Sequence, residues 1–377
     1  MSLDPSAAAG LGRVAVVGTG LLGTSIGLGL RACGATVLLA DTSPTALALA
    51  RDLGAGTIAA QAGADDLAAV RLVVVATPPD VTARVVDSQL TAFPAATVTD
   101  VASVKATVLR DVESRGGDLG RYVGGHPMAG RERSGPVAAR GDLFIGLPWV
   151  VCPTQATDPV RVDAVRWLAL ALGATPVAMT AADHDDAVAL VSHVPQVAAS
   201  LVAARLRTAN DGAVALAGQG LRDVTRIAGS DPLLWAQILA ANAGPVAGVL
   251  LAVRDDLDDV LRALADLAGE RPDRPVTGAR GTVARAIADG NLGRERIPGK
   301  HGGQAARYAV VTVLVPDRPG SLGRLFADIG AAGINIEELS LEHAPGRAVG
   351  LIEVAVLPGV QERLEAALAR AGWRVVA

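Results

Sequence analysis

The sequence predicts an α/β fold for its first half, a doubly wound and mostly parallel sheet. An all-α region follows, and then a small β-α-β-β-α-β module. Three observations point to this. Between Arg13 and Ala178, short runs rich in Val and Leu alternate with helix-like segments, as strands buried on both faces should. From Asp183 to about Leu267 the apolar spacing is helical throughout. From Tyr308 onward, strand-like and helix-like stretches recur in the order of a ferredoxin-like module. The boundaries read as 11–178, 179–268, a connector at 269–306, and 307–377.

The chain of 377 residues is long enough for two or three domains, at about 150 residues each. Half of it is hydrophobic, mostly Ala, Val and Leu, which is enough for several packed cores. The net charge of −4 is small and unclustered, which argues against nucleic acid as a partner and against binding to a membrane surface. Cys33 and Cys152 sit in apolar contexts and suggest neither a disulfide framework nor a metal site, so a reducing cytoplasm is expected. Met1 to Gly10 lacks the basic and apolar regions of a signal peptide. No uninterrupted apolar run reaches the roughly 18 residues of a membrane span, so none is expected.

Arg13 to Val17 is a short run for a buried parallel strand, followed at once by Gly18-Thr19-Gly20-Leu21-Leu22-Gly23 and a helix from Thr24 to Ala32. Strand, G-x-G-x-x-G, helix is the setting of a dinucleotide fingerprint, so the domain reads as Rossmann-like. Gly18 permits the tight turn, Gly20 lets backbone approach a pyrophosphate, and Gly23 allows helix and strand to pack closely. The helix N-terminus supplies free N–H donors for the phosphates, and Leu21 and Leu22 in the turn before it count among the cofactor-binding residues. A second strand, Thr36 to Ala40, ends in Asp41, where a ribose-binding acid belongs. A carboxylate there accepts from a 2′-hydroxyl and repels a 2′-phosphate, and Thr42 to Thr45 brings no Arg, so NAD is favoured over NADP. Leu72 to Ala76 is the next strand, broken by Thr77-Pro78-Pro79 at its carboxyl end, where cofactors sit in open α/β sheets. Thr97 to Val101 follows. Ala102-Ser103-Val104-Lys105 then opens a helix with Ser103 as its N-cap, and Lys105 reads as helix surface. Strands at Pro148 to Val151 and Thr175 to Ala178 enclose a helix from Pro159 to Leu172.

Ahead of Pro148, after a strand-like run from Tyr122, Gly124-Gly125-His126-Pro127-Met128-Ala129-Gly130-Arg131-Glu132-Arg133-Ser134-Gly135 reads as a loop with special backbone geometry. It holds an imidazole, a carboxylate and two guanidiniums. It could be a polar surface loop or a catalytic one.

Asp183 to Leu206 reads as a helix burying Val188, Val191, Val197, Leu201 and Ala204 on one face, kinked at Pro195. His184 and His193 could both be ordinary helix residues. Arg226 lies between Val224 and Ile227, an apolar setting in which it would need an anionic partner. Asp231 and Pro232 read as N-cap and first residue of a helix carrying Trp235. The aliphatic all-α region is a natural homodimer surface. One short helix, Thr282 to Ala288, interrupts the connector. The last module runs as a strand from Tyr308, a turn at Pro316 to Gly320, a helix to Ala332, a strand from Ile334, a turn at Pro345-Gly346, a strand to Val356, a helix, and a strand to Val376.

Taken together, these residues resemble the prephenate/arogenate dehydrogenase family of tyrosine biosynthesis over nearly the whole chain. The motifs are Gly18 to Gly23, Ala76-Thr77-Pro78, Asp100 to Lys105, His126 to Gly135, Ser192-His193-Val194-Pro195 and Arg222 to Ala228. The last segment resembles an ACT domain through Asp317 to Leu322 and Gly333 to Ile336. The resemblance implies a dinucleotide domain, a helical dimerisation domain with the active site between them, and NAD-dependent oxidative decarboxylation of prephenate to 4-hydroxyphenylpyruvate, CO2 and NADH. It places His126 at the substrate hydroxyl as base, with Ser103 holding that hydroxyl or orienting His126. It assigns Arg226 to a substrate carboxylate, His193 to the substrate's side chain, Glu132 to shaping the site, and Trp235 to the pocket edge. The ACT likeness implies an amino-acid effector, most simply tyrosine, received by Asp317, Gly320 and Ser321 with Asn335 at its ammonium group. Arogenate in place of prephenate, dual specificity, and a non-catalytic NAD-binding sensor are the competing readings.

Overall fold

The structure is a computed structural model and describes residues 3–129, 135–269, 278–298, 308–343 and 349–376. It divides into two compact units, Met1–Val253 and Arg254–Ala377. The first is built on an eight-stranded sheet with strand order β3-β2-β1-β4-β5-β6-β7-β8. Its strands are β1 Arg13–Val17, β2 Val37–Ala40, β3 Thr57–Ile58, β4 Val70–Val75, β5 Thr97–Asp100, β6 Tyr122–Pro127, β7 Pro148–Cys152 and β8 Thr175–Ala178. All pairings are parallel except β6 with β7, where His126 faces Val150. The order reverses between β1 and β4, a topological switch point that opens a crevice at the carboxyl ends of both strands.

The short β3 is absent from the sequence reading, being only two residues long. The apolar runs serve two cores. Val14, Val16, Leu72 and Val74 face a cluster with Ile26, Leu30, Trp149 and Leu168. Ala15, Val73 and Val75 face the opposite cluster with Val86, Leu90, Val98 and Val112. Burial on both faces explains why these strands are continuously apolar rather than alternating.

Two expectations change here. Gly124 to Pro127 is the carboxyl half of strand β6, not a loop. The glycines serve close approach: a Cβ on Gly125 would stand 2.8 Å from the Asp100 carbonyl oxygen and 3.1 Å from Trp149 Nε1. The helix after β5 starts at Ala106, so Ser103 lies in the preceding loop and is not its cap.

The helical part begins with Ala181–Val188, passes through a π-helical turn Ala189–His193, and continues as Val194–Arg205 with Pro195 in its first turn. The proline expected to kink the helix therefore sits just after a π turn, where its missing N–H costs least. The extra residue rotates the following face. Val188 is buried as expected, but Val191 and Leu201 are 64% and 61% exposed, and Gln196 and Ala199 are buried in their place. Contrary to the reading from runs of apolar residues, Ala181–Thr208 is long and apolar enough by composition to span a membrane, with mean hydropathy 1.6. Its buried His184, Asp185 and His193 are bonded to neighbouring elements.

In the second unit, a helix of 17 residues, Ala279–Glu295, replaces the short one expected in the connector. Its Gly281, Gly290 and Gly293 disguised its length, because glycine weakens helix propensity. The module's sheet has the order β10-β11-β9-β12, wholly antiparallel, from β9 Ala309–Pro316, β10 Glu338–His343, β11 Val349–Val356 and β12 Arg374–Val376. β10 starts at Glu338 rather than Ile334. Helices Ser321–Ala331 and Gln361–Arg370 pack on β9 around Val313, Leu325, Ile329, Ile352, Leu364 and Leu368. This is the β-α-β-β-α-β module read from the sequence.

Candidate active site

At the switch point, the turn after β1 is shaped by three glycines. Gly18 has φ +99°, and a Cβ there would stand 2.3 Å from the Ala76 carbonyl oxygen, so the turn lies directly on the end of β4. A Cβ on Gly23 would stand 1.9 Å from the Gly18 carbonyl oxygen, so the helix Leu21–Ala32 can seat on the turn only with hydrogen there. A Cβ on Gly20 would meet nothing within 4 Å, so the space above it is open. The N–H groups of Leu21, Leu22 and Gly23 begin the helix and have no earlier turn to bond to. Such an arrangement suits a pyrophosphate. Asp41 follows β2 and closes one side. Its Oδ2 accepts from the Thr19 N–H at 2.6 Å and the Thr19 hydroxyl at 2.8 Å, and its Oδ1 accepts from the Ser43 N–H at 2.7 Å. The carboxylate thus stays beside the turn with acceptor capacity left for a ribose hydroxyl. Thr77 and Pro78 line the end of β4, where the Thr82 hydroxyl donates to the Pro78 carbonyl at 2.9 Å and fixes the start of helix Pro79–Ala92. The residues present fit a dinucleotide.

His126 stands near the end of β6, partly buried. Its Nδ1 meets His184 Nε2 at 2.8 Å, and His184 Nδ1 meets Asp185 Oδ1 at 2.8 Å. Asp185 also accepts from the N–H groups of Lys105 and Ala106, each at 2.8 Å, and so caps helix Ala106–Ser114 from outside. That helix needs no cap of its own because the next domain supplies one. Behind this, Lys105 is buried rather than on a helix surface, correcting the reading above. Its ammonium pairs with Asp100 and donates to the Gly125 carbonyl at 2.6 Å. Asp100 accepts as well from the Tyr122 hydroxyl at 2.7 Å and the Ala102 N–H at 2.9 Å. A buried ion pair persists where its remaining hydrogen-bond positions are filled, as they are here.

His193, in the π turn, is 1% exposed. The Asn242 amide nitrogen donates to the Asp185 carbonyl at 2.8 Å and reaches His193 Nδ1 at 3.1 Å. An amide nitrogen can only donate, so His193 Nδ1 accepts and its Nε2 carries the hydrogen. Trp235 packs edge-on against His193 with ring centroids 5.9 Å apart. Asp231 caps Trp235's helix, Pro232–Ala241, by accepting from the Leu233 and Leu234 N–H groups, and Pro232 occupies the first turn.

Burial above all, with the nearby Lys105 ammonium acting in the same direction, holds the His126 imidazole well below the usual histidine range, so it is neutral at physiological pH. Burial likewise lowers His193, against the pull of Asp185. Burial alone would raise Asp185, but the hydrogen bonds from His184, Lys105 and Ala106 outweigh it and hold the carboxyl below its ordinary value. Burial and the Asp100 charge push the Tyr122 phenol well up, so it remains a donor. A neutral imidazole, a second imidazole presenting N–H, and an open dinucleotide cradle on the same sheet suit hydride transfer coupled to proton removal from a hydroxyl.

The structure therefore brings together His126, His193 and Trp235 on one side, and Gly18, Gly20, Leu21, Leu22, Gly23, Asp41, Thr77 and Pro78 on the other. Ser103 sits in the loop joining Asp100 to Lys105. Arg226 is exposed, and so is Val224, so its expected apolar setting is not found. Its short helix Arg226–Ala228 packs on the helix Val194–Arg205. Glu132 falls outside the described residues. In the second unit, Gly320 has φ +86° and precedes helix Ser321–Ala331, with Asp317 in the turn before it. The Asn335 amide donates to Glu337 Oε1 at 2.9 Å, so it is already engaged. Among the described residues, no cluster of three or more His, Cys, Asp or Glu is arranged to hold a metal.

The reading from sequence missed His184, Asp185 and Asn242. Their only signal was scarcity: the chain has five histidines, and three of them meet here. Spacing pointed the wrong way. At about 100° per residue, positions nine apart lie on opposite faces of a regular helix, and the π turn removes that opposition between His184 and His193.

Family models match three stretches: "Prephenate dehydrogenase, nucleotide-binding domain" at residues 26–178, "Prephenate dehydrogenase, dimerization domain" at 180–272, and "ACT domain" at 309–371. The chain is 40% identical to the probable prephenate dehydrogenase NovF of Streptomyces niveus, over 95% of this chain and 98% of that one. It is 29% identical to a prephenate dehydrogenase of Bacillus subtilis, over 68% and 67% of the two chains. Among solved structures, prephenate dehydrogenase from A. aeolicus, in complex with hydroxyphenyl propionate and NAD+, matches with TM-score 0.64 and 27% identity, over 76% of this chain and 98% of that one. Synechocystis arogenate dehydrogenase matches with TM-score 0.59 and 25% identity, over 74% and 99%.

Proposed function

The chain belongs to the prephenate dehydrogenase family, and we propose that it converts prephenate to 4-hydroxyphenylpyruvate and CO2, reducing NAD to NADH. It is an NAD-dependent oxidoreductase. The observation that supports this reaction most directly is a neutral His126 at the end of β6, on the same sheet as the glycine cradle. When bound, NAD would supply a hydride acceptor for the ring carbon that bears the hydroxyl. The cradle at Gly18 to Gly23 would hold its pyrophosphate, and Asp41 its adenosine ribose. His126 Nε2 accepts the hydroxyl proton as the ring carbon becomes a carbonyl. The ring carboxylate then leaves as CO2, and the proton returns from His126 to the phenolate oxygen, so no net proton is released. Ser103 holds the hydroxyl against His126. His193 offers its Nε2–H, and Arg226 its guanidinium, to the substrate's carboxylate and side-chain oxygens, with Glu132 and Trp235 bounding the pocket. A planar guanidinium binds a carboxylate through two parallel bonds, which an ammonium cannot do.

We read the protein as a homodimer. Leu201, Leu216, Leu233, Leu251 and Leu257 are exposed apolar residues within the stretch matched as a dimerization domain. In the ACT module, Asp317, Gly320, Ser321 and Asn335 would receive an amino acid, tyrosine being the simplest. The domain limits proposed are 11–178, 179–268, 269–306 and 307–377. Cys33 and Cys152 are free thiols, with Cys152 pushed up to about 12 by burial, which suits a reducing cytoplasm. The test is NADH formation by the purified protein with prephenate and with arogenate, with NADP as control and tyrosine added. Turnover with prephenate is the expected result. Turnover with arogenate alone would transfer the assignment to that substrate, and turnover with neither would overturn it.

A further inference from the structure

Behind His126 lies a chain of buried groups that the proposed reaction does not use: His184, 1% exposed, and Asp185, 3% exposed. Their hydrogen bonds fix the direction of every proton in the row. Asp185 is an ionised carboxylate that already accepts two backbone N–H groups, so it can only accept from His184 Nδ1. In the tautomer with its hydrogen on Nδ1, facing Asp185, His184 keeps its lone pair on Nε2. That lone pair faces His126 Nδ1 at 2.8 Å, so His126 must carry its hydrogen on Nδ1 and leave Nε2 bare. The groups around this row are Asp100 at the end of β5, Lys105 from the loop after it and His193 from the π turn. Lys105 and Asp100 are satisfied by one another, Tyr122 and backbone, and His193 by Asn242, so none competes for the His126–His184 contact.

We infer that His184 and Asp185 form a positioning relay that holds His126 in the Nδ1–H tautomer, with Nε2 as the base, and stabilises the imidazolium formed as the substrate proton arrives. This deepens the reading of His126 as the base and rests on it. The same division of labour holds wherever a base is oriented by a third group behind it. Asp185 has a second duty, because it caps helix Ala106–Ser114; its substitution would unseat that helix. His184 is therefore the position to change.

The decisive measurement on the unaltered protein is the nitrogen-15 spectrum of the histidine rings at neutral pH, with His126 assigned by its loss in His126→Asn. Hydrogen on Nδ1 and a bare Nε2 is expected; hydrogen on Nε2 overturns the relay. His184→Leu is expected to lower kcat on the order of 100-fold, as loss of an outer partner does for a bound imidazole, while KM for NAD stays at the wild-type value. His184→Gln is expected to recover much of that loss, since an amide can both donate to Asp185 and accept from His126. In the His126→Asn background, His184→Leu should cost nothing further. Wild-type kcat in a folded His184→Leu protein would overturn the relay while leaving His126 as base. Should His184→Leu fail to fold, the spectrum of the wild-type protein still decides. If His126→Asn itself keeps full turnover, the base assignment fails separately from the tautomer.

Discussion

The two sides of the crevice work by opposite means. At β1, the ligand-facing surface is bare backbone: Gly18 bends, Gly23 seats the helix, and the space over Gly20 is open. At β6, the working group is one side chain, held by buried ionisable groups from the loop after β5, from the helix Ala181–Val188 and from the π turn. The first side is built by sterics, where the turn and its helix press on one another and on the end of β4. The second is built by charge and hydrogen bonding across 142 positions of chain, from Asp100 to Asn242. A backbone cradle fails when an atom is added; a charged cluster fails when a partner is removed.

That contrast can be broken or sharpened by substitution. The largest effect is expected from His126→Asn: kcat should fall on the order of 10²–10⁴-fold, the usual worth of a general base, while titration shows NAD affinity unchanged. A comparable loss of NAD affinity would mean the two sides are not separate. Next, Lys105→Met should destabilise the fold by about 3–5 kcal/mol, because it leaves Asp100 buried without its cation; a melting temperature within a degree of wild type would show that the pair is dispensable. On the glycine side, Gly23→Ala should cost about 1–3 kcal/mol by overpacking and weaken NAD binding. Gly20→Ala should keep the wild-type melting temperature, since its Cβ meets no protein atom, and still raise the Kd for NAD. Equal stability losses in both glycine variants would break the steric account.

The smallest effect is that of pH. His126 and His193 are lowered in the folded state, so the unfolded chain takes up the proton first as pH falls below the ordinary histidine value of 6.5. Their contribution is complete above that value and is lost progressively below it. Asp185, also lowered, adds stability above 3.8 that disappears as pH falls through its folded value. Melting temperature should therefore be level from pH 8 to about 7 and decline between about 6.5 and 5, and kcat/KM should keep its neutral-pH value to below 6.5. A histidine limb above 6.5 would contradict the burial of His126.

How much of this was legible in the sequence follows the same division. The turn Gly18 to Gly23, the capped start at Asp231-Pro232 and the left-handed Gly320 before Ser321 were readable because each is marked locally, by φ, by missing Cβ atoms or by a local cap. His126 was readable only as a residue in an unusual setting and through the family resemblance. Lys105 misled because a lysine at the start of a helix is ordinarily solvated, and nothing local announces that Asp100 and Gly125 will close over it.

By itself, then, the sequence determined the alternation of buried strands and helices, the dinucleotide turn and the terminal β-α-β-β-α-β module, since periodicity, glycine and side-chain bulk act at short range. The tertiary structure alone decided that Gly124 to Pro127 is strand, that a π turn brings His184 and His193 to one cluster, and that Asp185 serves both as helix cap and as anchor of the histidine row. Those outcomes depend on which buried donor meets which buried acceptor, and that pairing is made only when distant segments are desolvated against each other.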